Sequence, residues 1–274
     1  MTATQVEKAR AFRALHERSG AFIIPNPWDA GSAKILTALG FEALATTSLG
    51  LSSTLGRRDG AGVVSRQEVL DNCAAISAAT HLPVSADLEN CYAHEPRAAA
   101  QMIRLAAEAG VVGGSIEDAS GDPAKPIYDF GLAVERVQAA VETARSLPFP
   151  FTLSARAENF LHGRRDLDDT IRRLQAFESA GADVLYAPGL RDLETIRTVV
   201  SSVAKPVNVV IGMLAPGITA AELAQAGVKR ISVGGALARL ALANLVKGAR
   251  EMKEHGTFGW LAEALPGSEL QKFF

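Results

Sequence analysis

Pro83-Val84-Ser85-Ala86-Asp87-Leu88-Glu89-Asn90 opens a stretch that runs through a helical-period segment over 97–109 into Glu108-Ala109-Gly110-Val111 and Gly114-Ser115-Ile116-Glu117-Asp118. It reads as one complete strand–helix–strand unit. A short run of small and apolar residues ends on carboxylates, an Ala/Leu/Arg/Glu-rich segment follows, and a glycine turns the chain into the next strand. The same unit recurs in both directions. Strands are expected near 22–25, 43–46, 84–86, 114–116, 152–155, 184–186, 207–210 and 230–233, with helices between them, for example over 97–109, 132–145, 167–180 and 219–226. Four helices end alike, in Ala38-Leu39-Gly40-Phe41, Glu108-Ala109-Gly110-Val111, Ser179-Ala180-Gly181-Ala182 and Gln225-Ala226-Gly227-Val228. Each places glycine where a left-handed cap precedes a strand.

About eight such units in strict alternation predict a single-domain (β/α)8 TIM barrel over residues 1–274, a length close to the roughly 250 residues usual for that fold. An open doubly wound sheet is the alternative. Such a sheet carries a glycine-rich turn after its first strand, whereas this strand runs into Asn26-Pro27-Trp28-Asp29. Gly234-Gly235 after the last strand suits either a phosphate or, more simply, a tight turn. The stretch 256–274, with Phe258, Trp260, Leu261, Leu265, Phe273 and Phe274, is apolar for a tail and is expected to pack on something, a partner subunit being one candidate.

Basic and acidic residues nearly balance, 28 against 30, and no basic stripe of the kind a nucleic-acid or membrane surface needs is visible. Cys73 and Cys91 do not suggest a disulfide scaffold or a thiolate zinc site. No apolar run approaches the ~20 residues that cross a bilayer, and the first ten residues lack a secretory core, so a cytoplasmic location is expected.

In a barrel of this kind the chemistry sits at the carboxyl ends of the strands. That filter selects Asn26 and Asp29, Thr47, Ser48 and Asp59, Asp87 and Glu89, Glu117 and Asp118, Arg156, Glu158 and Asn159, and Asn208. Carboxylates gathered in one mouth repel one another unless a cation neutralises them, and oxygen donors favour Mg²⁺, with Mn²⁺ also possible, over Zn²⁺. Of the five histidines only His94 and His162 are expected near the mouth, and their spacing does not mark a ligand pair. A small 2-oxo acid offers two oxygens to such an ion, and Arg156 is suited to grip its carboxylate. Each residue also has a plainer role: Asp87 and Glu89 pairing with Arg156 or a lysine, Asp118 capping a loop, Asn208 satisfying backbone groups at the rim. Cys91 is expected to be a small packing residue, since carboxylates nearby raise a thiol's pKa.

The runs Asn26-Pro27-Trp28-Asp29-Ala30-Gly31-Ser32-Ala33, Thr46-Thr47-Ser48, Pro83 to Asn90, Ser115-Ile116-Glu117-Asp118 and Ser154-Ala155-Arg156 resemble the isocitrate lyase/phosphoenolpyruvate mutase superfamily over roughly residues 10–240. The resemblance implies a (β/α)8 barrel whose C-terminal helix swaps onto a neighbour in a homo-oligomer, a dimer or tetramer. It implies Mg²⁺ on Asp87, with Asp59, Glu89 and Glu117 supporting the metal largely through water. It also implies that Thr47, Ser48 and Arg156 hold the substrate's 2-oxo carboxylate end, with Asn208 on the substrate side. The loop after strand four, where the lyases carry a Lys-Lys-Cys-Gly-His motif with a catalytic cysteine, here reads Ser120-Gly121-Asp122-Pro123-Ala124-Lys125-Pro126-Ile127-Tyr128-Asp129. Lys125, Tyr128 or Asp122 are the candidates to replace that acid; Lys125, Asp59 and Arg156 are taken as the catalytic set. The expected activity is that of a Mg²⁺-dependent carbon–carbon lyase or decarboxylase on a small 2-oxo or 2-hydroxy dicarboxylate. The alternatives are phosphonopyruvate mutase or hydrolase chemistry and a non-catalytic 2-oxo acid binding protein.

Overall fold

The computed structural model describes residues 3–214 and 217–274. After α1 (Gln5–Glu17) the chain alternates as read: β1 (Phe22–Ile24), α2 (Ala30–Ala38), β2 (Leu44–Ala45), α3 (Ser48–Thr54), α4 (Arg66–Ala78), β3 (Val84–Ala86), α5 (Pro96–Glu108) and β4 (Gly113–Glu117). The second half continues with α6 (Phe130–Arg145), β5 (Thr152–Arg156), α7 (Leu167–Ser179), β6 (Val184–Tyr186), α8 (Leu193–Ser201), β7 (Val207–Val210), α9 (Ala220–Gln225), β8 (Arg230–Ser232) and α10 (Ala236–His255). A 3-10 turn (Gly259–Glu263) and α11 (Gly267–Gln271) end the chain.

All eight strands are parallel, in the order β1-β8-β7-β6-β5-β4-β3-β2. The seam between β1 and β2 is bridged where Ala45 N–H donates to the Pro25 carbonyl at 3.0 Å. Asn26 reinforces it: its side-chain N–H donates to the Thr46 carbonyl (2.9 Å), and its oxygen accepts from the Val233 and Gly234 amides at 3.0 and 2.9 Å. The (β/α)8 barrel is thus the observed fold. Gly234 lies at φ 53° and its amide is committed to Asn26, so Gly234-Gly235 makes the tight turn. The four predicted caps all adopt left-handed backbone, with φ between 86° and 102° at Gly40, Gly110, Gly181 and Gly227.

Helix α1 stands outside the strand–helix alternation. This helix is held at its start by a Thr4–Glu7 capping box. It closes the amino-terminal mouth by inserting the fully buried Phe12 against β4, where a Cβ on Gly113 would come within 2.8 Å of the ring. Gln5 donates to the carbonyls of Ala107 and Val111, and Lys8 to those of Ser77 and Thr80, which pins the helix beneath the barrel. With that end plugged, the opposite mouth is left for ligands. Along the tail, Trp260 stacks on α10 at Gly248, but Leu240, Leu245, Phe258, Leu261, Leu265 and Phe274 remain exposed on the single chain. Among the described residues no helix is long and apolar enough to cross a membrane.

Candidate active site at the carboxyl ends of the strands

Barrel register sets the site. Glu117, Arg156, Tyr186, Asn208 and Arg230 are successive ladder partners across β4 to β8, so one face carries all five toward the axis. Arg156 is the hub. Its Nη1 donates to Asp87 (2.9 Å), Nη2 lies 3.1 Å from Glu117 and Nε donates to Glu158 (2.8 Å), while its guanidinium sits 5.0 Å from the centre of the Tyr186 ring. Burial opposes its charge, but Glu158, Glu117 and Asp87 outweigh that and raise its pKa. The plainer role considered for Asp87, pairing with Arg156, is therefore seen; Glu89 instead accepts from Tyr92 Oη at 2.9 Å.

One guanidinium does not neutralise this cluster. Burial, and then Asp87, push Glu89 up to about 7. Burial also raises Glu117 well above the carboxylate range, with Glu158, Asp87 and Glu89 adding to the rise against the pull of Arg156. Asp59 sits at the exposed rim, where Ser52 Oγ donates to it at 3.4 Å; partial burial and Asp87 raise its pKa too. Asp87 also accepts from the Ser48 amide (3.2 Å), and its own amide donates to Thr46 Oγ1 (2.9 Å). Thr47 is turned aside to cap α3, and its neighbour Thr46 lines the cavity instead.

The loop after β3 is strained. Glu89, Cys91 and Tyr92 have φ of 48°, 60° and 54°, a region that costs roughly 1–2 kcal/mol for each non-glycine residue. Arg136, buried beneath, holds it by donating to the carbonyls of Asn90, Ala93 and His94. The result keeps Glu89 close enough to Asp87 to feel its charge. Cys91 is fully buried, and burial pushes its thiol up to about 12, so it packs as expected; Glu117 adds to the rise, but desolvation is the larger cause.

Asp118 does not merely cap a loop. It accepts from the Glu158 amide (2.8 Å) and from Arg173 Nη1 (3.1 Å), locking the end of β4 to that of β5. Arg173 also donates to the Tyr128 carbonyl and to Asp169. Segment 119–129 is consequently a braced hairpin: Ala119 bridges Ile127, and Tyr128 Oη lies 2.6 Å from His94 Nδ1. Lys125 and Asp122 are exposed at its tip and do not line the cavity, and His162 is exposed on the loop after β5. The cavity, about 60 Å³, is bordered by Asn26, Thr46, Asp87, Arg156, Asn208 and Arg230.

Would these residues hold Mg²⁺? The donors are oxygens, Cys91 is sealed off and His94 is engaged with Tyr128, which suits a hard ion. Excess negative charge around Asp87 is what such an ion would relieve. No group of three or more His, Cys, Asp or Glu side chains that could hold a metal ion occurs among the described residues. Mg²⁺ does not require one, since it commonly keeps several waters and takes only one or two carboxylates. The donor set fits.

Sequence reasoning missed Tyr186 under Arg156 and, above all, Arg230. The only available signal was alternation: Arg230 and Ser232 share the inward phase of β8 with Asn208 beside them on β7.

The family model for phosphoenolpyruvate phosphomutase matches residues 12–253. A crystal structure from Burkholderia cenocepacia, described provisionally as a lyase/mutase, is 56% identical with a TM-score of 0.96, covering 98% of this chain and 96% of that one. An uncharacterized protein of Mycobacterium tuberculosis is 31% identical over 95% of both chains. The 2-methylisocitrate lyase of Halalkalibacterium halodurans is 28% identical over 83% of this chain and 76% of its own. With the barrel, the carboxylate mouth and these matches in agreement, the chain belongs to the phosphoenolpyruvate phosphomutase family, within the isocitrate lyase/PEP mutase superfamily of enzymes.

Proposed function

We propose that the protein is a Mg²⁺-dependent carbon–carbon lyase or decarboxylase acting on a small 2-oxo or 2-hydroxy dicarboxylate through an enolate. The observation that carries this is Arg156 spread over Asp87, Glu117 and Glu158, three carboxylates drawn onto one guanidinium. Asp87 is the direct metal ligand in this reading, with Glu89 and Glu117 holding metal-associated waters. When bound, Mg²⁺ supplies Lewis-acid stabilisation of the negative charge developing on the keto oxygen. Arg156 orients the carboxylate with its planar fork, Thr46 and Ser48 stand beside that end while Thr47 is kept capping α3, and Asn208 faces the substrate from β7. Asp59 stands at the rim, its pKa raised by partial burial and by Asp87. Lys125 takes part only in a conformation that folds segment 119–129 inward.

The 2-methylisocitrate lyase relative supports the lyase assignment. Purified protein with Mg²⁺ is expected to release pyruvate, glyoxylate or CO2 from one member of a panel of such acids; no release from any of them overturns the assignment. The match to the phosphomutase model favours phosphonopyruvate chemistry as the second reading, which phosphorus NMR decides by whether the phosphonopyruvate signal changes. A third, tight calorimetric binding of an oxo acid without turnover, describes a binding protein. We infer a cytoplasmic homo-oligomer, a dimer or tetramer, in which a second copy covers the exposed leucines of α10.

A further inference from the structure

Arg156 has three carboxylate partners; Arg230, on the same register row, has none among the described residues. Arg230 is 5% exposed and borders the cavity. Its Nε donates to Asn208 Oδ1 (2.8 Å) and Nη2 to Ser154 Oγ (2.9 Å), both neutral, while Nη1 has no partner among the described residues. No carboxylate is among the groups that act on its charge. Burial lowers its pKa only to about 10, so it remains a cation at neutral pH. Buried cations are ordinarily paired, because desolvation without a counter-charge is costly.

Hydrogen-bond direction says what is missing. Arginine only donates, so Asn208 must present its oxygen to Nε and its amide nitrogen to Ser232 Oγ (3.1 Å). Ser232 Oγ therefore accepts from Asn208, and no acceptor for its own hydrogen occurs among the described residues. Arg230 and Ser232 thus offer unused N–H and O–H donors at the cavity wall, and what suits unused donors around an unpaired positive charge is an anion.

We propose that Arg230, with Ser232 beside it, forms a second carboxylate subsite on the cavity floor, receiving the distal carboxylate of a small dicarboxylic acid whose other end is held at Arg156. The proposal rests on the mouth being an acid-binding site. It makes Arg230 the determinant of dicarboxylate over monocarboxylate ligands.

The test is calorimetric binding of pyruvate, L-malate and 2-oxoglutarate to the full chain with MgCl2, comparing wild type, Arg230→Met and Ser232→Ala. Wild type is expected to bind one of the dicarboxylates at least about tenfold more tightly than pyruvate. Arg230→Met should abolish that preference while leaving pyruvate affinity within about twofold, and Ser232→Ala should erode it several-fold in the same selective sense. Should Arg230→Met fail to fold, Ser232→Ala decides alone. Equal losses for all three ligands, or no loss, overturn the subsite. Wild type that binds pyruvate without favouring either dicarboxylate overturns the subsite alone, whereas wild type that binds none of the three overturns the reading of the mouth as well.

Discussion

Replacing Glu89 by Gln tests whether the carboxylate cluster is electrostatically overloaded without a metal. Burial and the neighbouring Asp87 raise Glu89 to about 7 from an ordinary value near 4.5. The folded chain therefore binds this proton more tightly than the unfolded chain does. The stability that the protonated group contributes is fully present below about pH 4.5, declines between there and pH 7, and is gone above it. The gap corresponds to on the order of 3 kcal/mol, and partial solvent access at the mouth reduces this to about 2 kcal/mol. Gln keeps an oxygen for Tyr92 Oη and carries no charge. Glu89→Gln should therefore match wild type in urea unfolding at about pH 4 and exceed it by about 2 kcal/mol at about pH 8 in metal-free buffer. Saturating Mg²⁺ should stabilise wild type at pH 8 by more than it stabilises the variant. Parallel stability-against-pH profiles for the two proteins, or a variant less stable at pH 8, would refute the account of a repulsive cluster.

Arg173→Met removes the partner of buried Asp118 and should destabilise the fold by about 3–5 kcal/mol in urea unfolding, because it strands a buried acid and frees the hairpin before α6. A loss below about 1 kcal/mol would show that Asp118 finds another partner. Phe12→Ala should cost about 3–5 kcal/mol by emptying the plug under β4, with oxo-acid affinity unchanged because the ring lies at the far end of the barrel. Cys91, buried and with its thiol pushed up to about 12, should resist a thiol reagent in native buffer and react once denatured; rapid native labelling would contradict its burial.

The barrel could be read from the sequence because its signal is local. A strand of a parallel sheet and the helix that covers it each declare themselves within a dozen residues, and the glycine after four of the helices marks a left-handed backbone that disfavours side chains. Regularity of alternation then left few ways to close the sheet. Asp87, Glu117 and Arg156 could be picked out for the same reason, since each sits at a strand's carboxyl end. Helix α1 and the two-residue β2 were harder. An amphipathic helix does not say which end of a barrel it covers, and Leu44–Ala45 is too short to show a period.

Pairing was decided only in three dimensions. That Asp87 rests on Arg156 while Glu89 turns to Tyr92, that Asp118 ties two strand ends together, and that Lys125 sits on a braced tip all depend on loops brought together from distant parts of the chain. Arg230 is the sharpest case. In the sequence it is a basic residue at the start of an apolar strand, where such a side chain commonly snorkels to solvent. Barrel closure and shear place it on the inward row beside Asn208, buried against the cavity and without a counter-ion among the described residues. Sequence alone determined which residues stand at the strand ends; the closed barrel decided which charges meet there and which one is left without a partner.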